Sequence, residues 1–268
     1  MPGVRFQNDS DFGFRATPKI NVMFSPSWID GVTTNARLSY GNGYRVPSLK
    51  ERYFEFDHSI LGYKVLGNTN LNPEQSHSYQ LGIEIARSGL FSLNVDLFYN
   101  RIKDLIESEL TRVEDGIEIF TFENIAQATT KGIETTAEFR LISGFNVSGG
   151  VTYMKAKDLK KNEPLVGRPH WIVKLGVDYT YKPFGTSLSL YNTHQSKEWK
   201  RDFKDRDVLV RSSAWTTWDI KLNQRVFSGV TLFAGVDNIT NEHRDPNDRN
   251  DVRPYEPRLA YLGLRIEQ

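Results

Sequence analysis

Apolar and polar residues alternate along most of this chain. In Tyr-Gln-Leu-Gly-Ile-Glu-Ile (79–85), Tyr79, Leu81, Ile83 and Ile85 share one face, with Gln80, Gly82 and Glu84 on the other. Phe91, Leu93, Val95, Leu97 and Tyr99 likewise oppose Ser92, Asn94, Asp96 and Asn100. Ile133, Ala137, Phe139 and Leu141 oppose Glu134, Thr136, Glu138 and Arg140. Trp171, Val173, Leu175, Val177 and Tyr179 oppose Lys174, Gly176, Asp178 and Thr180. Trp218, Ile220, Leu222 and Val226 oppose Asp219, Lys221, Asn223 and Arg225, and weaker versions recur over 230–237 and 259–266. A strand points successive side chains to opposite faces, so period two predicts strands with one apolar face. No segment carries a 3.6-residue stripe long enough for a full helix; a single helical turn fits residues 49–56.

The connections alternate as well. Residues 25–31, 87–89, 113–116, 142–144, 182–185 and 226–229 are short, whereas 43–72, 158–167, 197–210 and 239–256 are longer and polar. The runs beside 113–116 extend far past the length needed to cross a membrane. One end of the sheet is therefore expected to carry tight turns and the other long loops.

Two architectures share this pattern. In a β-sandwich the apolar face is the core; in a membrane barrel it meets lipid, and the polar face lines the lumen. The runs reach the about 9–11 residues that a tilted membrane strand needs. The turn asymmetry matches short periplasmic turns and long extracellular loops. Tyr40, Tyr99, Tyr153, Trp171, Tyr181, Trp215, Trp218 and Tyr261 recur at strand ends, where an interfacial girdle lies. All three features favour the barrel.

Composition narrows the remaining classes. A chain of 268 residues is one large domain or two small ones. A net charge of +1 supplies no field to recruit nucleic acid, so none is expected as a partner. Cysteine is absent, which excludes disulfides, thiolate metal sites and a cysteine nucleophile. No apolar run of about 18 residues offers a membrane helix. The first residues lack the basic-then-apolar order of a signal peptide, so none is expected. Mean hydropathy of −0.50 reads as soluble on a helix-based scale, but alternating barrel strands also average low.

Gly-Tyr-Arg-Val-Pro-Ser-Leu-Lys-Glu-Arg-Tyr-Phe (43–54), Gly-Asn-Thr-Asn-Leu-Asn-Pro-Glu-Gln-Ser (67–76), Gly-Val-Asp-Asn-Ile-Thr-Asn (235–241) and the closing run 256–268 resemble the C-terminal half of the β-barrel of a TonB-dependent outer-membrane receptor. The resemblance spans nearly the whole chain, in order. It implies an all-β, antiparallel transmembrane barrel, partial and of about eleven strands, filling residues 1–268 as one domain, against about 22 strands in the family. It also implies that the plug domain is absent, and with it the route to TonB. The lipid bilayer is one partner and a missing barrel half or second chain another, needed for closure. An odd, open sheet would leave unpaired edges or require one parallel seam. The last residues, Ile266-Glu267-Gln268, lack the aromatic that usually ends the family's closing strand. The implied function is uptake of a scarce metal chelate (haem, cobalamin or a ferric siderophore) at the bacterial outer membrane, without energised uptake by this chain alone. The alternatives are a passive pore or half-barrel module, and a soluble β-sandwich binding module. No enzyme is expected, because no nucleotide, zinc or nucleophile motif occurs.

Candidate site residues fall in the first long loop. Tyr44, Arg45 and Pro47 mark where the chain leaves the barrel, and Asn72, Pro73 and Glu74 where it returns. Each proline biases the residue before it to an extended conformation, and Arg45 with Glu74 are candidate anchors. Some haem receptors of the family carry a ligating His between two such motifs. His58 lies in that interval, among Phe54, Phe56 and Tyr63. Three readings stand open: an axial haem ligand, another ligand contact, or an ordinary loop residue. No cofactor is expected otherwise. His77, His170, His194 and His243 show no paired spacing, and the run 245–251 lacks the oxygen ligand and glycine of a calcium loop, so no metal site is expected. The balanced charges of 197–207 read as a solvated loop. Asp96, Glu134, Glu138, Asp178 and Asp219 are expected to pair with Lys174, Arg140, Lys221 and Arg225 on the lumen face.

Overall fold

The computed structural model describes residues 1–142, 144–202, 204–205, 207–243, 248, 251 and 256–267. Its strands are β1 (Pro2–Asp9), β2 (Gly13–Phe24), β3 (Thr33–Arg45), β4 (Glu55–His58), β5 (Tyr63–Leu66), β6 (Glu74–Arg87), β7 (Phe91–Glu114), β8 (Ile117–Ile142), β9 (Phe145–Asp158), β10 (Glu163–Pro164), β11 (Trp171–Tyr181), β12 (Thr186–Gln195), β13 (Trp199–Arg201), β14 (Leu209–Arg211), β15 (Trp215–Phe227), β16 (Val230–Asp237) and β17 (Leu259–Ile266). A one-turn helix, α1 (Leu49–Tyr53), precedes β4, where a helical turn was predicted.

Twelve strands form one antiparallel meander in the order β1-β2-β3-β6-β7-β8-β9-β11-β12-β15-β16-β17. This is within one of the about eleven expected, and the further strand is β1, which pairs with β2 from Pro2↔Ile20 to Asp9↔Gly13. Its alternation is short: Val4 and Phe6 oppose Arg5 and Gln7, while Pro2 and Asn8 occupy the flanking positions of the apolar face. Twelve is even, so closure of this meander requires no parallel seam. Among the described residues β1 and β17 do not pair with each other, and the sheet is open.

Register aligns the apolar positions into rows. Leu38, Leu81, Leu97 and Ile133 stand in successive cross-strand partnership, as do Leu188, Leu222 and Ala234. These side chains are exposed: Leu38 at 57%, Leu97 at 45% and Leu222 at 43%. A sandwich would bury this face under a second sheet, so the soluble β-sandwich reading is corrected. An extended apolar surface of this kind is a lipid-facing one.

Aromatic rings border it on both sides. Toward the loop end Tyr40, Tyr79 and Tyr99 adjoin at centroid distances of 5.0 and 6.2 Å, and Tyr153 meets Trp171 at 4.5 Å. Toward the turn end Phe91 meets Phe139 at 6.4 Å, and Phe145 meets Tyr179 at 6.1 Å. Tyr99 and Phe91 stand eight positions apart on β7. That is about 26 Å along the strand, or about 20 Å along the membrane normal at a tilt near 40°, the scale of a lipid-facing band. Tyr261 is corrected from the girdle: it pairs with Gly235 and packs near Phe233, on the polar face.

On that polar face the carboxylates are held mainly by neutral donors. Asp178 accepts from Ser189 and Tyr191 at 2.6 and 2.7 Å, Asp96 from Gln80 at 3.2 Å, and Asp219 from the Asn238 amide at 2.8 Å. Of the expected charge pairs, Arg140–Glu138 forms, at 3.4 Å.

β7 and β8 continue beyond the band. With 24 and 26 residues they form a hairpin closed by Asp115 and Gly116, both at positive φ, the geometry of a tight Asp-Gly turn. Above the point where β9 leaves, β8 gains a different neighbour. β5 pairs parallel with it from Tyr63↔Glu118 to Leu66↔Thr121. The first long loop thus covers an edge that would otherwise stand unpaired.

The turn-end glycines test this geometry. Gly89 and Gly144 both have positive φ, 75° and 81°. A Cβ on Gly89 meets open space, whereas one on Gly144 would lie 2.0 Å from the Thr180 carbonyl oxygen. Gly89→Ala should cost only the backbone strain, about 1–2 kcal/mol. Gly144→Ala adds the clash and should give the lower folded fraction, read as the heat-modifiable band in unheated SDS electrophoresis. Equal losses would show that the 144 turn relaxes freely.

Candidate functional site

The first long loop folds onto the rim through one arginine. Arg45, the last residue of β3, donates from Nε and Nη2 to Glu74 at 2.6 Å each, bridging the loop's exit and return. Its Nη1 reaches Glu51 Oε1 and Oε2 at 3.0 and 2.9 Å. Glu51 also closes a capping box with Ser48, so the fork fixes the start of α1. Glu74 Oε1 accepts the Ile106 amide at 2.9 Å, which ties the tall hairpin to the same point. The two carboxylates hold the Arg45 guanidinium well above its ordinary value. For Glu51 burial acts upward, but the Arg45 and Ser48 contacts prevail and lower its carboxyl.

Asparagines fasten the far side. Asn72 donates its amide to Asn124 Oδ1 at 2.8 Å, and Asn124 Nδ2 returns bonds to the Asn72 and Asp104 carbonyls at 3.0 and 2.7 Å. Asn68 Nδ2 donates to the Phe122 carbonyl at 2.9 Å. Pro47 and Leu71 are buried beneath the loop, Pro73 is half-buried, and Tyr44 lies under the Arg15 guanidinium at 5.4 Å.

The structure brings Phe54, Phe56, His58 and Tyr63 together. Phe56, His58 and Tyr63 lie in the β4–β5 hairpin, with His58 opposite Tyr63. Phe54 stacks on Phe56 at 5.6 Å, Phe56 lies 4.1 Å from the His58 ring, and Tyr63 meets His58 edge-on at 5.5 Å. The Tyr63 hydroxyl and His58 Nδ1 share a hydrogen bond of 3.2 Å. Lys64 clamps Asp57 at 2.7 Å and, with Ser59, holds that carboxyl well below the usual range. All four aromatic rings are half-buried.

Beside this hairpin lies a polar basin that sequence reading did not find. It encloses about 570 Å³ between the tall hairpin and the β9–β10 and β13–β14 segments. Glu107, Glu109, Asp158, Glu163, Arg112 and Arg201 line it. Arg201 pairs with Glu163 at 2.9 Å, and Lys200 pairs with Glu198, which is 6% exposed. The charged run 197–207 is thus corrected in part: Glu198, Lys200 and Arg201 are docked at the β13–β14 hairpin, whereas Lys204, Asp205 and Asp207 are exposed as expected of a solvated loop. Asp104 lies within β7 at φ 55°, and next to it Leu105 packs with Ile125, Ala128, Ala156 and Leu165 under the basin. Among the described residues no group of acids and histidines holds metal-site geometry. The run 245–251 lies mostly outside the described residues.

Arg45→Lys keeps the charge but loses the fork. It should loosen residues 46–73 by about 2 kcal/mol. Faster amide exchange at Gly67 and Asn68, with Leu81 unchanged, would show this; unaltered exchange would place the anchorage elsewhere. Burial raises the Glu107 carboxyl above its ordinary 4.5, with Arg168 opposing. The folded state therefore favours the protonated form, a contribution full below pH 4.5 and lost as pH rises through the folded value. Glu107→Gln should raise the unfolding temperature at neutral pH, and the gain should vanish below pH 4.5. A pH-independent gain would contradict this assignment.

Comparison with known proteins extends this picture. The chain is 28% identical over 233 residues to a probable hemoglobin and hemoglobin-haptoglobin-binding protein of Haemophilus influenzae, covering 76% of this chain and 23% of that protein. It is 26% identical to the ferric enterobactin receptor PirA of Pseudomonas aeruginosa, covering 97% and 38%. Its fold superposes on the ferric enterobactin receptor PfeA of the same species with a TM-score of 0.75 at 23% identity, covering 99% of this chain and 42% of that one. The chain therefore spans well under half the length of these relatives. The family model "TonB dependent receptor-like, beta-barrel" matches residues 1–239, which hold the tall loop-end hairpin and all but the last strand of the open meander, and the chain belongs to that outer-membrane family.

Proposed function

We propose that this chain supplies the loop-bearing part of a receptor that captures an iron chelate from outside the bacterial outer membrane. The observation that carries this is the ordered platform at the loop end, where the Arg45 fork and the β5–β8 pairing present an aromatic hairpin beside a charged basin. Such a surface has apolar faces for a large planar or aromatic ligand and polar groups to orient it. The relatives named for hemoglobin and for ferric enterobactin point to the same class. Energised uptake would add a plug domain and TonB.

A second reading concerns haem itself. His58 is held at Nδ1 by Tyr63 and against Phe56, so its ring orientation is set. A metal-binding imidazole is oriented in this way by a hydrogen bond to its other nitrogen. In this reading His58 Nε2 is the axial ligand, and Phe54 and Phe56 are the apolar contacts of the macrocycle.

The test uses outer membranes from cells expressing the receptor that carries this chain. Titration with haem and with ferric enterobactin should show saturable binding of one of them. If it is haem, His58→Ala should abolish the shifted Soret band while leaving the folded band on gels intact. An unchanged Soret band would remove the axial role. Conductance with no saturable binding of either ligand would favour a passive pore instead.

A further inference from the structure

The structure assigns a lipid-phosphate site to the outer surface of the barrel, distinct from the platform and independent of which chelate is taken up. A cavity of about 350 Å³ is lined by His170, Trp171, His194, Ser196, Lys197, Arg211 and Ala214. Its four ionisable lining groups are all basic. The nearest acid in sequence, Glu198, is buried and bound by Lys200 at 2.9 Å.

Register fixes which way this cavity opens. Trp171 lies opposite Tyr153, and His194 opposite Val173 and Thr216. Trp171 and Val173 belong to the apolar face of β11, so His194 belongs to that face too. Ser196 continues the row: its amide donates to the Trp171 carbonyl at 3.0 Å, and its hydroxyl accepts the Trp171 amide at 3.0 Å. The cavity therefore faces outward.

Its height follows from the girdle. Trp171 and Tyr153 form part of the loop-end aromatic row, which marks the boundary between hydrocarbon and headgroups. Lys197 and Arg211 are exposed just above that row. The outer leaflet there places phosphates against whatever the barrel presents. A cationic cavity without a carboxylate, walled by an indole, has the charge and depth to take one phosphate group, with the acyl chains running down the band below. The arrangement is partly pre-built. Thr216 Oγ1 holds His194 Nδ1 at 2.8 Å, and Arg211 stacks over Trp199 at 4.5 Å.

The test is retention of lipid by the full receptor in detergent. Phosphorylated lipid A should survive delipidating washes on the parent, dephosphorylated lipid A should not, and millimolar inorganic phosphate should fail to displace it. Lys197→Gln with Arg211→Gln should weaken retention roughly 30-fold. Lys182→Gln, at the opposite rim, should leave it unchanged. Arg211 also supports the β13–β14 hairpin, so Lys197→Gln alone provides a second variant, with an expected loss of roughly fivefold. Equal retention of the two lipid forms, equal retention by parent and variants, or displacement by inorganic phosphate would each overturn the assignment.

Discussion

Within a bilayer no water is present to satisfy a backbone N–H or C=O, so each must be paired inside the protein. The rest of this structure follows from that constraint. The meander answers it strand by strand, with every interior strand of the path hydrogen-bonded to neighbours on both sides. Once the ladder is set, side-chain direction is no longer free. Leu81 and Leu97 must share a face because their backbones are partners, and Gln80 and Asp96 must lie on the other. The lipid-facing band and the polar lining are two consequences of one register.

Outside the band the constraint weakens and the solution changes. The β7–β8 hairpin outruns its neighbours, and above the departure of β9 the edge of β8 is taken by β5, which arrives from a loop more than fifty residues earlier and runs parallel. Nothing in the alternation of Tyr63 to Leu66 encodes that partner, because alternation reports which face a residue takes and is silent on which strand lies beside it. The same limit applies to the basin. Glu107 and Arg201 carry no local signal of proximity, because they lie on separate strands that meet only through the fold, and the positive φ of Asp104 is one that an aspartate does not announce. What local pattern does encode was legible: the strands of the band, the tight-turn end, and the helical turn at Leu49.

The loop-base residues show the boundary between the two kinds of information. Pro47 and Pro73 restrict their own neighbours, so their place at the strand ends could be read directly. Arg45 and Glu74 were readable only as complementary charges flanking one loop. The structure adds that Arg45 holds two carboxylates at once and that Glu74 also holds the Ile106 amide. His170 and His194 mark the opposite case. Separated by more than twenty residues, they look unclustered, yet both line one cavity, because β11 and β12 are hairpin partners.

The sheet below the girdle and the loop platform above it therefore rest on different physics. Below the girdle the stability comes from a ladder in low dielectric, where every lost bond leaves an unsatisfied group and where salt and pH reach little. Above it the contacts are charge pairs and amide bonds in or near water: Arg45 with Glu51 and Glu74, Lys64 with Asp57, Asn124 with Asn72. Each is individually modest and screened. Together they hold a loop of nearly thirty residues that would otherwise have to be ordered at the moment of binding, at a cost in backbone entropy for every residue fixed. A ligand meeting this platform meets surfaces already placed, and more of its contact energy is retained as affinity. A barrel that must be rigid in lipid thus extends into a rim that is rigid for a separate reason, and the rim can be loosened without disturbing the wall beneath it.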